Sequence, residues 1–169
     1  NGEMVAISRD VPNVTSILRA SPNPTNAATA DFIVTSSEPV DGVDPTDFAV
    51  TGNANGLILN IKNVNPFYVV TVNTGSSEGE LKLDLIDNDS ILNARGVPLG
   101  GDGTGNANFT NGEVFTIDRT PPRVTSIARA GSSPTINPSV DFIVTFSEPV
   151  QGVDAFDFGV STTNLNSAV

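Results

Sequence analysis

The sequence predicts an all-β protein built as an antiparallel β-sandwich. Short runs of β-branched and aromatic residues recur along the chain, and clusters of Gly, Asn, Pro and Asp separate them. No stretch keeps the 3.6-residue apolar period of an amphipathic helix. With 169 residues, 15 glycines and 12 prolines, the chain is long enough to bury a core and rich in turn-forming residues.

Seven strands are predicted before residue 120. They lie near 13–19, 31–36, 46–51, 57–62, 67–73, 80–86 and 113–118. The third strand is expected to reach the core at Phe48, directly after the turn residue Asp47. Apolar alternation in the fifth and sixth strands predicts the following core residues: Tyr68, Val70, Val72, Leu81, Leu83 and Leu85. Seven short strands without a helix pattern favour an immunoglobulin-like sandwich.

An internal repeat organises the chain. Residues 1–59 align with residues 111–169 without a gap at an offset of 110, and 29 of the 59 aligned positions are identical. We therefore expect residues 10–119 to form one complete repeat, residues 1–9 to be the last strand of a preceding repeat, and residues 120–169 to be the first half of the next. Such a chain is interpreted as a slice of a longer tandem array.

The repeated motifs carry a resemblance to a known family. Both copies contain Asp-Phe-Ile-Val-Thr-x-Ser-Glu-Pro-Val-x-Gly-Val-Asp-x-x-Asp-Phe, at 31–48 and 141–158, and Thr-Pro-Pro-x-Val-Thr-Ser-Ile opens the second copy at 120–127. These runs resemble the tandem bacterial Ig-like repeats of large secreted and cell-surface proteins. The resemblance implies an extracellular β-sandwich that serves as a stalk, an adhesin segment or a fibre unit, without catalysis.

Composition excludes several classes of function. The chain has no His, Cys or Trp and a formal net charge of −11, which excludes Ser-His-Asp and Cys-His nucleophiles, the usual zinc sites and disulfides. Only Lys62 and Lys82 are lysines, so binding to nucleic acid or to anionic lipid is not expected. Its apolar runs are also too short to span a bilayer. The metals that remain are calcium and magnesium, which prefer oxygen ligands.

The order of the strands predicts where the acidic residues lie. In an antiparallel sandwich, the loop after the second strand and the loop after the sixth meet at the end where the first strand begins. At the junction with the next repeat, Arg119, Pro121 and Pro122 form the predicted linker. Carboxylates gathered at this end of the sandwich and at the junction, without lysine, make calcium the candidate cofactor. Its candidate ligands are Glu38, Asp41, Asp44, Asp87, Asp89, Asp118, Glu148 and Asp154.

A structural role competes with this calcium site. Asp is common in turns because its side chain accepts hydrogen bonds from nearby backbone amides, and this role is favoured for Asp47 and Asp157. For Glu38 and Glu148, and for the pair at 87 and 89, both interpretations stay open. Arg9 or Arg119 would neutralise one carboxylate each. The glycine-rich loop at 88–112 is the predicted contact with a neighbouring repeat or fibre.

The predicted function is mechanical. Repeats of 110 residues stack end to end in an extended extracellular or cell-surface fibre, and their partners are neighbouring repeats of the same chain or identical subunits. Two alternatives remain. The chain is the stalk of an adhesin with a separate ligand-binding domain, or it is a carbohydrate-binding accessory domain that would need Phe67, Tyr68 or Phe109 as exposed platforms. Paired carboxylates of a glycosidase are not expected, because the same acids recur in a repeated unit.

Overall fold

The computed structural model describes residues 10–163, and residue contacts divide the chain into two units, with the division between Arg119 and Thr120. The assignment of residues 10–119 to one complete repeat and of residues 120–169 to the first half of the next stays a prediction. The predicted strand at 1–9 and the end of the chain at 164–169 lie outside the described residues. Across the described residues the secondary structure is strand and 3₁₀ turn, without α-helix.

Between residues 10 and 119, the first unit contains nine strands and one 3₁₀ turn. The strands are β1 (Val14–Arg19), β2 (Thr29–Ser36), β3 (Val40–Asp41), β4 (Phe48–Gly52), β5 (Leu57–Asn63), β6 (Phe67–Asn73), β7 (Gly79–Leu85), β8 (Leu92–Asn93) and β9 (Val114–Ile117). All seven predicted strands are confirmed. The third begins at Phe48 rather than at 46, because Pro45–Asp47 form a 3₁₀ turn. The two-residue strands β3 and β8 were not predicted.

Two antiparallel sheets make up most of the first unit. One has the strand order β1-β2-β6-β5 and the other the order β4-β7-β9, while β3 and β8 pair with each other beside them. Every pairing between these strands is antiparallel. The alternation of inward and outward side chains then turns one face of each sheet towards the other.

The core lies between these two sheets. Phe32 of β2 and Phe115 of β9 pack edge to face with ring centroids 5.0 Å apart, which joins the four-stranded sheet to the three-stranded one. The six core residues predicted from alternation in β6 and β7 are all buried. The first unit is therefore a β-sandwich with one continuous hydrophobic core.

The second unit repeats the local structure of the first. It contains β10 (Val124–Arg129), β11 (Phe142–Phe146) and a 3₁₀ turn at Ala155–Asp157. The strands β10 and β11 pair in the register of β1 and β2, so that Ile127 lies opposite Val144 as Ile17 lies opposite Val34. Both pairs also have a register shift at the same place, two residues into the first strand.

Candidate functional site

The acidic loops of the first unit meet at one end of its sandwich. Asp41 of β3 lies opposite Leu92 of β8, which joins the loop that follows β2 to the loop that follows β7. The backbone N–H of Gly100 donates to the carbonyl oxygen of Pro12 at 2.8 Å, so the approach to β1 lies here too. The structure thus brings these loops together, as the strand order predicts. We call this region the acidic end.

Asp44 and Asp47 stabilise the 3₁₀ turn that precedes β4. Asp44 is the N-cap and accepts from the Thr46 backbone N–H at 2.7 Å and the Thr46 hydroxyl at 2.6 Å. These hydrogen bonds, that of the hydroxyl first, lower the pKa of the Asp44 carboxyl. The fully buried Asp47 accepts from the Asp44 backbone N–H at 2.7 Å, which completes a capping box. The turn role predicted for Asp47 is therefore confirmed.

Asp47 also ties the turn to the next loop. The hydroxyl of Ser90 donates to its second carboxylate oxygen at 2.6 Å, and the backbone N–H of Ile86 donates to its carbonyl oxygen at 2.8 Å. Ser90 had no role in the prediction, because its hydroxyl gains one only when two loops separated by 43 residues meet. Asp47 thus connects the start of β4 to the segment after β7.

Glu38 also contacts the segment that follows β7. Its carboxylate accepts from the Asn93 side-chain amide at 3.1 Å and lies 3.6 Å from the Arg95 guanidinium. Asn93 is itself buried, and its carbonyl Oδ1 accepts from the backbone N–H groups of Arg95 and Val97 at 3.0 Å each. Glu38 therefore joins a polar network in which Asn93 is the central residue, and Asn93 was missed because a single Asn in a turn is not distinctive.

Asp41 and Tyr68 lie close to this network. Asp41 is exposed on β3, while the Tyr68 hydroxyl is buried and donates to the Val40 carbonyl oxygen at 2.7 Å. Burial, and after it the negative charge of Asp41, raise the pKa of Tyr68. Asp41 thus acts on its surroundings by charge, and the residue at the equivalent position of the second unit is Gln151.

Asp87 and Asp89 organise the long loop that follows β7. The carboxylate of Asp87, a buried residue, accepts from the backbone N–H of Asp89 at 3.2 Å and of Ala107 at 3.3 Å. One oxygen of Asp89 accepts from the Gly103 backbone N–H at 3.1 Å. The other, Oδ1, is buried and has no hydrogen-bond partner. The two side chains hold the start of the loop against its glycine-rich part.

This loop is packed on its own unit. Ile91 and Leu99 are buried in the core, and the backbone N–H of Leu99 donates to the Ile91 carbonyl oxygen at 2.9 Å. Gly100 has φ 72°, and a Cβ on it would lie 2.2 Å from the Asn106 side chain, so glycine is required there. The predicted contact of this loop with a neighbouring repeat or fibre is not tested by these intramolecular contacts, and it stays a prediction.

The remaining predicted ligands lie elsewhere. Asp118 follows β9, and its backbone N–H donates to the Thr25 carbonyl oxygen at 3.0 Å, at the end of the first unit away from the acidic end. Glu148 and Asp154 are exposed in the second unit. Asp154 caps the second 3₁₀ turn, where Asp157 completes the same capping box as Asp47, so the turn role of Asp157 is also confirmed.

Arg119 anchors the end of the first unit. Its guanidinium donates to the Gly75 carbonyl oxygen at 2.7 Å, to the Thr74 hydroxyl at 2.9 Å and to the Asn26 carbonyl oxygen at 3.2 Å. Its backbone N–H donates to a Glu78 carboxylate oxygen at 3.1 Å. Arg119 was predicted as a linker residue. These contacts hold it against two loops of the first unit, just before Pro121 and Pro122.

Between residues 10 and 163, no group of three or more Asp or Glu side chains is arranged to hold a metal ion. In the acidic end, most of the predicted calcium ligands accept hydrogen bonds from backbone amides or from side chains of the same loops. The unpartnered Oδ1 of Asp89 is the exception. These hydrogen bonds hold the loops of the acidic end together.

Comparison with family models, with curated proteins and with solved structures finds no match for this chain. Over the part of the chain that the structure describes, no helix has the length and apolar character needed to cross a membrane.

Proposed function

We propose that this chain is a structural, non-enzymatic segment of an extended extracellular or cell-surface fibre, built from tandem repeats of 110 residues. The observation that carries the proposal is the agreement between sequence and local structure at one offset. Twenty-nine of 59 aligned residues are identical, and the pairing of β10 with β11 reproduces that of β1 with β2, including its register shift. Repeated units of this kind are typical of arrays.

The topology of the first unit supports an immunoglobulin-like identity for the repeat. Its sheets contain four strands in the order β1-β2-β6-β5 and three in the order β4-β7-β9. Constant-type immunoglobulin domains have the same division, with the first, second, fifth and fourth strands in one sheet and the third, sixth and seventh in the other, once the short β3 and β8 are set aside. Such sandwiches are used widely as cell-surface modules.

A mechanical role requires that force pass through the end of each unit. Arg119 lies two residues after the end of β9, and its guanidinium donates hydrogen bonds to the loops that contain Asn26 and Thr74. Pro121 and Pro122 follow within three residues and restrict the backbone dihedral angles of the linker. A strand end that is anchored in this way, followed by a stiff linker, suits a unit that carries tension along the chain.

Calcium forms the second part of the proposal. Asp89 Oδ1 is buried without a hydrogen-bond partner, and a buried carboxylate oxygen is costly unless a donor or a cation satisfies it. We therefore propose that calcium stabilises the acidic end and stiffens the joint between repeats. Millimolar calcium should then raise the Tm of the chain relative to excess chelator, and Asp89→Asn should abolish that increase. Equal melting in calcium and chelator would contradict this part alone.

The exposure of three aromatic residues bears on the carbohydrate-binding alternative. Tyr68 is buried, and Phe67 and Phe109 are half-buried, so none offers the open platform that stacking on sugars requires. This argues against a carbohydrate-binding accessory domain. An adhesin stalk has the same repeats as a fibre and differs only in a ligand-binding domain elsewhere in the protein.

The fibre proposal is tested on polypeptides that contain one, two and four copies of residues 13–122 in tandem, so that Pro121 and Pro122 end each copy. Small-angle scattering and electron microscopy should show rods whose length grows by a constant increment for each added copy. Compact particles, or chains that bend freely at every joint, would refute it. A matched set in which Pro121 and Pro122 of each linker are replaced by glycine should bend more at each joint, since glycine removes the backbone restriction.

A further inference from the structure

The segment between β1 and β2 lies along β9, in the other sheet of the first unit. The backbone N–H of Thr25 donates to the Thr116 carbonyl oxygen at 3.0 Å, and the Thr25 carbonyl oxygen accepts from the Asp118 backbone N–H at 3.0 Å. Thr25 and Ile117 form a parallel bridge. This segment therefore runs in the same direction as β9, although β1 itself belongs to the four-stranded sheet.

The strand β1 makes similar contacts with the start of β9. The backbone N–H of Glu113 donates to the Ile17 carbonyl oxygen at 2.9 Å, and the Glu113 carboxylate accepts from the Arg19 backbone N–H at 2.8 Å. The Arg19 guanidinium donates to the Val114 carbonyl oxygen. Partners thus advance together along both segments, as they do when two segments run side by side in one direction. We call the contact between residues 17–25 and residues 113–118 the terminal ladder.

The side chain of Asn23 adds a hydrogen bond to the terminal ladder. Its Oδ1 accepts from the Thr116 backbone N–H at 2.6 Å. Both backbone polar groups of Thr116 are therefore bonded to the segment that follows β1, the N–H to Asn23 and the carbonyl oxygen to Thr25. Just after the ladder, the Arg119 guanidinium donates to the Asn26 carbonyl oxygen at 3.2 Å. The contact thus continues to the last residue of the unit.

The direction of the two segments decides how the unit responds to tension. The chain enters β1 at the acidic end and leaves β9 at the opposite end. Tension between these points pulls the two segments along their own axes in opposite directions, because they run the same way. The hydrogen bonds of the terminal ladder are then loaded all together. A force applied at one end of the ladder would instead break them one after another.

We infer that the terminal ladder bears tension in shear and sets the force at which the unit unfolds. This inference rests on the proposed function, since only a chain under tension uses such a device. Forced unfolding is governed by the rate of unfolding rather than by the free energy of unfolding. The ladder therefore determines mechanical resistance, while hydrogen bonds elsewhere in the unit contribute to stability without carrying the load.

The test stretches single molecules of the whole 169-residue chain between two chosen points. The chain has no Cys, so a pair of introduced cysteines fixes where the force acts. Val11→Cys with Pro121→Cys loads the ladder along its length, and Val11→Cys with Asn111→Cys opens it from the end where β1 begins. All three residues are exposed. The first pair should unfold at a force roughly twofold higher or more, because several hydrogen bonds must break together.

Two asparagine variants separate the ladder from general stability. Asn23→Ala removes the acceptor of the Thr116 backbone N–H within the ladder. Asn53→Ala is the matched control, since Asn53 is also exposed and its Oδ1 accepts from the Glu80 backbone N–H at 2.7 Å, outside the ladder. With force along the ladder, Asn23→Ala should raise the unfolding rate at a fixed force by roughly three- to tenfold, the change expected for one lost hydrogen bond. Asn53→Ala should leave that rate within about twofold of the parent chain.

Equal unfolding forces in the two directions would overturn the inference. It is also overturned if Asn53→Ala unfolds under force as fast as Asn23→Ala, because resistance would then follow overall stability. The length of rods built from tandem copies is measured without tension, so it tests the fibre role independently. A failure of the terminal ladder is thereby distinguished from a failure of the proposed function.

Discussion

Replacement of Asp47 by alanine should lower the free energy of unfolding of the first unit substantially. Asp47 is fully buried and accepts two short hydrogen bonds, from the Asp44 backbone N–H at 2.7 Å and from the Ser90 hydroxyl at 2.6 Å. Loss of one partner from a buried pair costs about 1–3 kcal/mol. Asp44 and Ser90 are exposed, so in the variant their donor groups form hydrogen bonds with water instead. The lower half of that range therefore applies to each of the two lost hydrogen bonds, which gives about 2–4 kcal/mol in total.

The only tyrosine of the chain makes this measurement specific to the first unit. Tyr68 is buried in the core, and the chain contains no Trp. Tyrosine fluorescence followed through urea unfolding therefore reports the first unit without a contribution from the second. The midpoint should fall with an unchanged slope, since the variant alters stability rather than the surface exposed on unfolding.

The repeat itself supplies a matched control. Asp157 occupies the equivalent position in the second unit and forms the same capping box, but it is exposed. Asp157→Ala should leave the tyrosine-detected transition within about 0.5 kcal/mol of the parent chain. A loss below about 0.5 kcal/mol in Asp47→Ala would show that neither the cap nor the Ser90 bond stabilises the fold, and the assignment of Asp47 as a connecting residue would be wrong.

Three further predictions concern residues with different partners; the first two, on arginine residues, are measured by tyrosine-detected urea unfolding and the third by circular dichroism. Arg19→Ala should lower the free energy of unfolding by about 1–2 kcal/mol, because the Arg19 guanidinium donates to the Val114 carbonyl oxygen and lies 5.9 Å from the centre of the Phe115 ring. Arg129→Ala, at the exposed equivalent position, should not change it measurably. Arg119→Ala should cost about 2 kcal/mol, and Arg119→Lys should recover only part of it, since lysine cannot reproduce the forked contacts. The raised pKa of Tyr68 means that the unfolded chain loses the phenol proton more readily, so stability is complete below pH 10.0 and falls as the pH rises through the folded-state pKa. Tyr68→Phe, which needs circular dichroism as its probe, should remove that fall. Equal losses of stability in Arg19→Ala and Arg129→Ala would contradict the role of the Arg19 contacts, and full recovery in Arg119→Lys would contradict the role of the forked contacts. A loss of stability at alkaline pH that persists in Tyr68→Phe would contradict the assignment to the Tyr68 hydroxyl.

Much of the fold could be predicted because its determinants are local. Alternation in β6 and β7 is a period-two pattern that marks the buried face directly, and Leu81 and Leu83 are buried as expected. The two-residue strands β3 and β8 could not be predicted in the same way. Two residues carry no periodicity, and these strands form only because the loops that contain Val40 and Asn93 meet in the folded unit.

The acidic end could be predicted in position but not in detail. Strand order alone brings the loops with Glu38 and Asp87 to one end, since antiparallel strands alternate direction. The partner of each carboxylate depends on contacts between residues far apart in sequence, such as Glu38 with Asn93 across 55 positions. A sequence pattern of acids therefore predicts a cluster of charge, while the folded loops decide whether each carboxylate binds an amide or remains available to a cation.

The two capping boxes show which structure needs only a few neighbouring residues, namely the 3₁₀ turn, and which needs the complete sandwich, namely burial of the phenylalanine after it. Asp154 and Asp157 form the same 3₁₀ turn as Asp44 and Asp47, although the second turn is fully exposed. The turn thus needs only its own few residues, whereas burial of the following Phe48, 8% exposed against 42% for Phe158, needs strands from later in the chain. The 3₁₀ turn is therefore specified by its own residues, whereas the burial of the phenylalanine that follows it depends on contacts between strands that are far apart in the sequence.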